Sequence, residues 1–288
     1  MPNLPRVLRS SIMMAVTAPL LVGLIGCTNM AANTVATTSD VAPAVTPSVA
    51  AADPTNPPKS VLWVGNSFFY YNNSMHGHVS RMLADAKVAG TRATSVTISG
   101  AGIDWHDMAS HFKPESGMSK YGFNARNEVV FNQFERRYDA VIMMDCSQCP
   151  IHPTLKPVFY DTIQKHIATV RQNGAVPYLF ASWAYADQPE MTEQLLAEYT
   201  KAAKMFNARV VPAGLAFANS IKARPDVNLY VDDKRHPSLA GTYLAAATVV
   251  ALVYQTDPTA ITYTAGLPAD VAAHLRRVAL DTVRTFKP

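Results

Sequence analysis

Five short apolar runs recur along this chain, and each is followed by a turn and a longer stretch with helical spacing. The runs cover residues 60–64, 93–98, 138–144, 175–181 and 209–211. The helical stretches cover 74–89, 157–172, 189–207, 214–223, 238–254 and 269–286. A strand that is apolar on both faces needs cover on both faces, and a parallel sheet flanked by helices supplies it. Strand and helix alternate without a visible repeat. That pattern predicts one α/β domain in three layers, α/β/α, around a five-stranded parallel sheet with right-handed crossovers. Apolar residues make up 49% of the 288 positions and charged ones 16%, enough to fill one large core. Residues 112–137 break the rhythm. They read as an irregular insertion with a helix near 127–136.

Two stretches carry chemistry. Ser67 follows the first apolar run in Gly65-Asn66-Ser67, and Asp233 stands three residues before His236 in Asp233-Lys234-Arg235-His236-Pro237. A serine hydroxyl is a weak nucleophile until a base takes its proton, and the base works best when a carboxylate fixes its tautomer. The Asp-x-x-His spacing brings a carboxylate within reach of the imidazole Nδ1 and leaves Nε2 for the serine. Only folding can join the two stretches. Asp232 is the rival to Asp233 as the orienting carboxylate.

These two blocks resemble the first and last blocks of the SGNH (GDSL-type) hydrolases, and the resemblance extends over roughly residues 59–254. It implies a flavodoxin-like sheet of order 2-1-3-4-5, with Ser67, His236 and Asp233 as the triad. It also assigns the Asp to 233 rather than 232. The usual family motif opens Gly-Asp-Ser, whereas Asn66 stands here. The second family block is a glycine whose amide helps to hold the oxyanion. Gly100 matches that place, with Gly102 as the alternative. The third block carries an Asn side chain, and Gln148 falls where that Asn is expected. The expected oxyanion donors are therefore the amides of Ser67 and Gly100 and the Gln148 side chain. Serine chemistry of this type needs no metal and no organic cofactor.

Cys146 and Cys149 form a C-x-x-C. In an exported chain this favours a disulfide bracing the loop at Gln148; a redox pair and two inert thiols are the other readings. Phe69, Tyr70 and Tyr71 either line the mouth of the site or fill the core. The same choice holds for Trp183 and Tyr185, which lie where an open α/β sheet binds ligands and could stack on a sugar ring. His76 and His78 are two apart on a probable helix and do not share a face, so a metal site there is not expected. His106, His111, His152, His166 and His274 read as surface or structural. No GxSxG elbow, Walker loop, HExxH or Rossmann glycine pattern occurs.

The chain opens with Arg6 and Arg9, then a mostly apolar run over 12–25 that is too short, and too interrupted by Pro19 and Gly23, to favour a permanent span. It ends in Leu24-Ile25-Gly26-Cys27, which resembles the bacterial lipobox. By that resemblance residues 1–26 are a lipoprotein signal peptide and Cys27 is acylated, anchoring the protein to a membrane in the cell envelope. Thr28 after the cysteine implies outer-membrane sorting in a Gram-negative cell. Residues 27–58 are rich in Ala, Thr, Val, Ser and Pro and read as a flexible tether to a domain at 59–288. The net charge of +4, half of it from Arg6 and Arg9, gives no support for nucleic-acid binding. The expected function is an extracytoplasmic esterase acting on acyl or acetyl esters, with carbohydrate esters among the candidates. Its rivals are an SGNH-type O-acyltransferase and a non-catalytic glycan-binding envelope lipoprotein.

Overall fold

The computed structural model describes residues 56–113, 121–123, 126, 128–131 and 137–288. The expected signal peptide, Cys27 and nearly all of the expected tether lie outside them. Among the described residues no helix is long and apolar enough to cross a membrane.

The elements run β1 (Ser60–Gly65), α1 (Ser67–Tyr70), α2 (Met75–Asp85), β2 (Arg92–Thr97), α3 (Met108–Phe112), β3 (Tyr121–Phe123), β4 (Val129–Phe131) and β5 (Ala140–Met143). They continue with α4 (Lys156–Gln172), β6 (Val176–Phe180), α5 (Met191–Phe206), β7 (Arg209–Val211), α6 (Ala213–Ala223), α7 (Leu239–Leu252) and α8 (Ala269–Thr285). The main sheet has the order β2-β1-β5-β6-β7, and all four of its pairings are parallel. Counted among these five strands alone, that order is the expected 2-1-3-4-5.

Strand alternation divides the core in two. Val61, Trp63, Ala140, Ile142, Tyr178, Phe180 and Val211 point to one face, where α2, α6, α7 and α8 cover them. Leu62, Val64, Val141, Met143, Leu179 and Val210 point to the other, against α3, α4 and α5. Period-two alternation with both faces buried is what the continuous apolar runs require. Helix α7 is buried almost all round, which explains why its sequence is apolar at nearly every position.

Two expectations fail. The helix near 127–136 is not formed where it can be checked. Residues 129–131 are strand β4, paired antiparallel with β3 in a separate two-stranded sheet. Val129, Val130 and Phe131 are β-branched or aromatic and all exposed, so strand propensity prevails where no core face selects a helix. Ser74 precedes α2, its side chain makes no capping hydrogen bond, and its backbone is left-handed at φ 68. Helix α2 also stops at Asp85, short of 89.

Candidate active site

The first stretch is set by the exit from β1. A Cβ on Gly65 would lie 2.8 Å from the Phe69 ring, so only glycine lets α1 fold back so closely on the strand. Asn66 is the N-cap of α1: its Oδ1 accepts from the Phe68 amide at 3.2 Å. Because that amide can only donate, the Asn66 Nδ2 must face the other way. It donates to the carbonyls of Ala101 and Asp145, each at 3.1 Å. One side chain thus ties together the loops after β1, β2 and β5. Ser67 is the first residue of α1, so its amide has no carbonyl one turn back to meet.

The second stretch is a loop fixed on both sides before α7. Tyr230 and Pro237 form an antiparallel bridge, Val231 donates to the His236 carbonyl at 3.0 Å, and Ser238 caps α7 through the Gly241 amide at 3.2 Å. The Trp183 indole donates to the Arg235 carbonyl at 2.9 Å. Asp233 folds back on its own turn: Oδ1 accepts from the amides of Arg235 (2.8 Å) and His236 (2.9 Å).

The two stretches meet. Ser67 Oγ lies 2.8 Å from His236 Nε2, and Asp233 Oδ2 lies 2.5 Å from His236 Nδ1. Burial pushes the Asp233 carboxyl up, but the hydrogen bonds from the His236 ring and the two loop amides outweigh it and hold the group at about 2. An ionised carboxylate can only accept, so Nδ1 carries the proton and Nε2 is left to accept from Ser67. The serine side chain is nearly covered, while the His236 and Asp233 side chains keep 25% and 43% of their surface exposed, so the contact opens to water. No hydrogen bond joins Asp232 to His236 among the described residues.

The loop after β2 carries Gly100, which is exposed, left-handed at φ 71, and faces open space where a side chain would stand. It can thus be approached closely. Gly102 is buried, with no room for a side chain beside Asp104 and Asp145. Gln148 fits its expected role poorly. Its amide nitrogen is turned to Met191 Sδ at 3.9 Å, at the start of α5, and it makes no hydrogen bond with Ser67 or His236. Cys146 and Cys149 form a disulfide, with Cα atoms 5.2 Å apart. Their sulfurs are therefore taken up by each other rather than free as thiolate ligands beside Asp145.

The aromatic side chains left open by the sequence divide between its two readings. Phe69 and Trp183 are core: Trp183 stacks between Phe68 (4.7 Å) and Phe217 (4.3 Å). Tyr70 and Tyr71 stand at the mouth, with Tyr71 stacked on the His236 ring. Tyr185 is buried beneath the Arg235 guanidinium, 4.5 Å from its ring centre, and its hydroxyl lies 2.6 Å from Ser147 Oγ. Two buried groups next to the site had no motif to announce them. Asp145 Oδ1 accepts from the amides of Ile103 (2.8 Å) and Cys146 (2.7 Å), and burial pushes its carboxyl up to about 6. His106 Nε2 donates to the Gly65 carbonyl at 3.0 Å, and burial lowers that ring to about 4. His111 and His166 are buried in the same region, so these three histidines are structural rather than surface residues.

The α/β fold is shared with a solved structure of low sequence identity. The solved structure of a DUF4886 family protein from Bacteroides uniformis superposes with a TM-score of 0.55 at 16% identity, over 78% of this chain and 95% of that one. An acetyl-xylooligosaccharide esterase from Geobacillus Stearmophilus, in variant form, gives 0.49 at 14% identity over 70% and 96%. The acetyl xylan esterase AlAXEase gives 0.47 at 14% over 65% and 96%. No family model matches the chain, and no curated protein matches it.

Proposed function

We propose that this protein is a serine esterase of the SGNH type that hydrolyses acyl or acetyl esters. The observation that carries the reading is the continuous line Ser67 Oγ–His236–Asp233, with a contact of 2.8 Å between residues 169 positions apart and one of 2.5 Å between His236 and Asp233. In this reading Ser67 Oγ attacks the ester carbonyl while its proton passes to His236 Nε2. Asp233 holds the ring and balances the imidazolium that forms. The proton then goes to the departing alkoxide, leaving an acyl-serine. Water repeats the sequence in reverse order and frees the acid. The amides of Ser67 and Gly100 are the oxyanion donors we assign. Gln148 can join them only by leaving Met191, so it contributes less than the family pattern implies. The acylated Cys27 belongs to the same reading and places the enzyme on the outer side of a membrane. Loss of membrane association in Cys27→Ala checks that part.

Turnover of p-nitrophenyl acetate tests the chemistry. Wild type should release p-nitrophenol, while Ser67→Ala and His236→Ala should each lose several powers of ten in rate, because the triad acts as a unit. Equal rates for all three proteins would remove the esterase reading.

A further inference from the structure

The segment that follows the nucleophile returns to the base. Tyr71 lies flat on the His236 imidazole, with ring centres 4.3 Å apart and planes 11° from parallel. Phe68 meets the same imidazole edge-on at 5.4 Å. The next residue anchors this arrangement: Asn72 Nδ2 donates to the Pro237 carbonyl at 2.9 Å and to Thr242 Oγ1 at 2.8 Å, at the start of α7. His78 Nε2 closes the turn from below, donating to the Asn72 carbonyl at 2.7 Å. The backbone is unusual here. Asn72, Asn73 and Ser74 are all left-handed, with φ of 53, 65 and 68. Three consecutive side-chain-bearing residues in that region are costly, and they persist only where the surroundings over-determine them. What they achieve is visible: the chain reverses immediately after Tyr71 and sets its ring over His236.

We propose that Tyr71, carried by the Asn72 anchor, is a positioning residue for His236 in the esterase reading above, on which this inference rests. Its ring restricts rotation of the imidazole out of line with Ser67. Its π face also stabilises the imidazolium that exists only after the Ser67 proton has moved to Nε2 and the serine oxygen has bonded to the carbonyl carbon. A cation over an aromatic face is favoured while a neutral ring gains less, so the help falls on the transition state rather than on substrate binding.

The test is steady-state kinetics of the full chain on p-nitrophenyl acetate, with the NMR signals of the His236 ring protons as a second readout. Tyr71→Leu should lower kcat by roughly three- to thirtyfold while KM stays within about twofold. Tyr71→Phe, which keeps the π face, should restore most of that loss. Asn72→Gly tolerates the left-handed backbone but removes the anchor, and it should lower kcat in the same direction. The His236 ring protons should lie upfield in wild type and Tyr71→Phe, and return downfield in Tyr71→Leu. An active wild type whose Tyr71→Leu and Asn72→Gly variants both keep kcat within twofold overturns this role alone. So does a His236 signal that does not move. A wild type that cleaves no ester overturns the esterase reading and this role with it. Should Tyr71→Leu not fold, the Asn72→Gly kcat and ring-proton shift decide.

Discussion

Restoring the residue that the SGNH pattern expects at position 66 should damage this protein. Asn66 is nearly buried and uses both faces of its amide: Oδ1 accepts from Phe68, and Nδ2 donates to the carbonyls of Ala101 and Asp145. Asn66→Asp keeps the acceptor and turns the double donor into a second acceptor. Two hydrogen bonds are lost, each worth about 0.5–1.5 kcal/mol net, and two carbonyls are left facing a carboxylate oxygen. A buried negative charge close to Asp145 adds to the cost. The sum is a destabilisation of about 2–4 kcal/mol at neutral pH. For a domain of this size that is roughly 4–16 °C in Tm. The penalty belongs to the ionised form. It should therefore shrink as pH falls and the new carboxyl, once protonated, regains one donor. Urea or thermal unfolding at several pH values measures it. A variant within about 0.5 kcal/mol of wild type at pH 8 would refute the claim that Asn66 holds three loops as a double donor.

Three further outcomes are expected. Asp145 has a folded carboxyl raised to about 6, so its ionised form is destabilising above that value, and the effect vanishes as pH falls towards the ordinary carboxylate range. Because both amides bind Oδ1, Asp145→Asn keeps its contacts and should be about 1–3 kcal/mol more stable than wild type at pH 8, with the difference gone near pH 4. His106 acts with the opposite sign: a ring lowered to about 4 costs stability as pH falls through the window from 6.5 to 4, so His106→Gln should flatten the acid limb of the unfolding profile. The Cys146–Cys149 bridge closes a very short loop, and the double Cys→Ser variant should lose only about 2 kcal/mol by urea unfolding while keeping esterase turnover.

The fold was legible because most sheet strands are apolar on both faces and most connections are helical. That pattern leaves few alternatives, and β7 over Arg209–Val211 and α4 up to Gln172 end where the sequence predicts. The meeting of Ser67, His236 and Asp233 was legible because Asp-x-x-His and Gly-x-Ser are local patterns with a chemical meaning. The rest of the site was not, because its parts are long-range. Nothing near Asn66 in sequence indicates that its amide meets carbonyls at 101 and 145. Tyr71 and Asn72 reach His236 and Pro237 only through a left-handed turn, which its two asparagines tolerate but do not announce in the sequence. Gln148 falls where the family's Asn is expected, and position in the chain does not say which way a side chain turns. Strand β4 is not legible because Val129, Val130 and Phe131 are all exposed and carry no periodicity to read.

The central claim is that Ser67 is an activated nucleophile, and covalent capture tests it most directly. A fluorophosphonate reacts with a serine whose proton can pass to a neighbouring base. The account predicts one adduct per chain in the intact mass, located by peptide mapping on Ser67, absent in Ser67→Ala and strongly slowed in His236→Ala. An unlabelled wild type, or an adduct on any other residue, would contradict it.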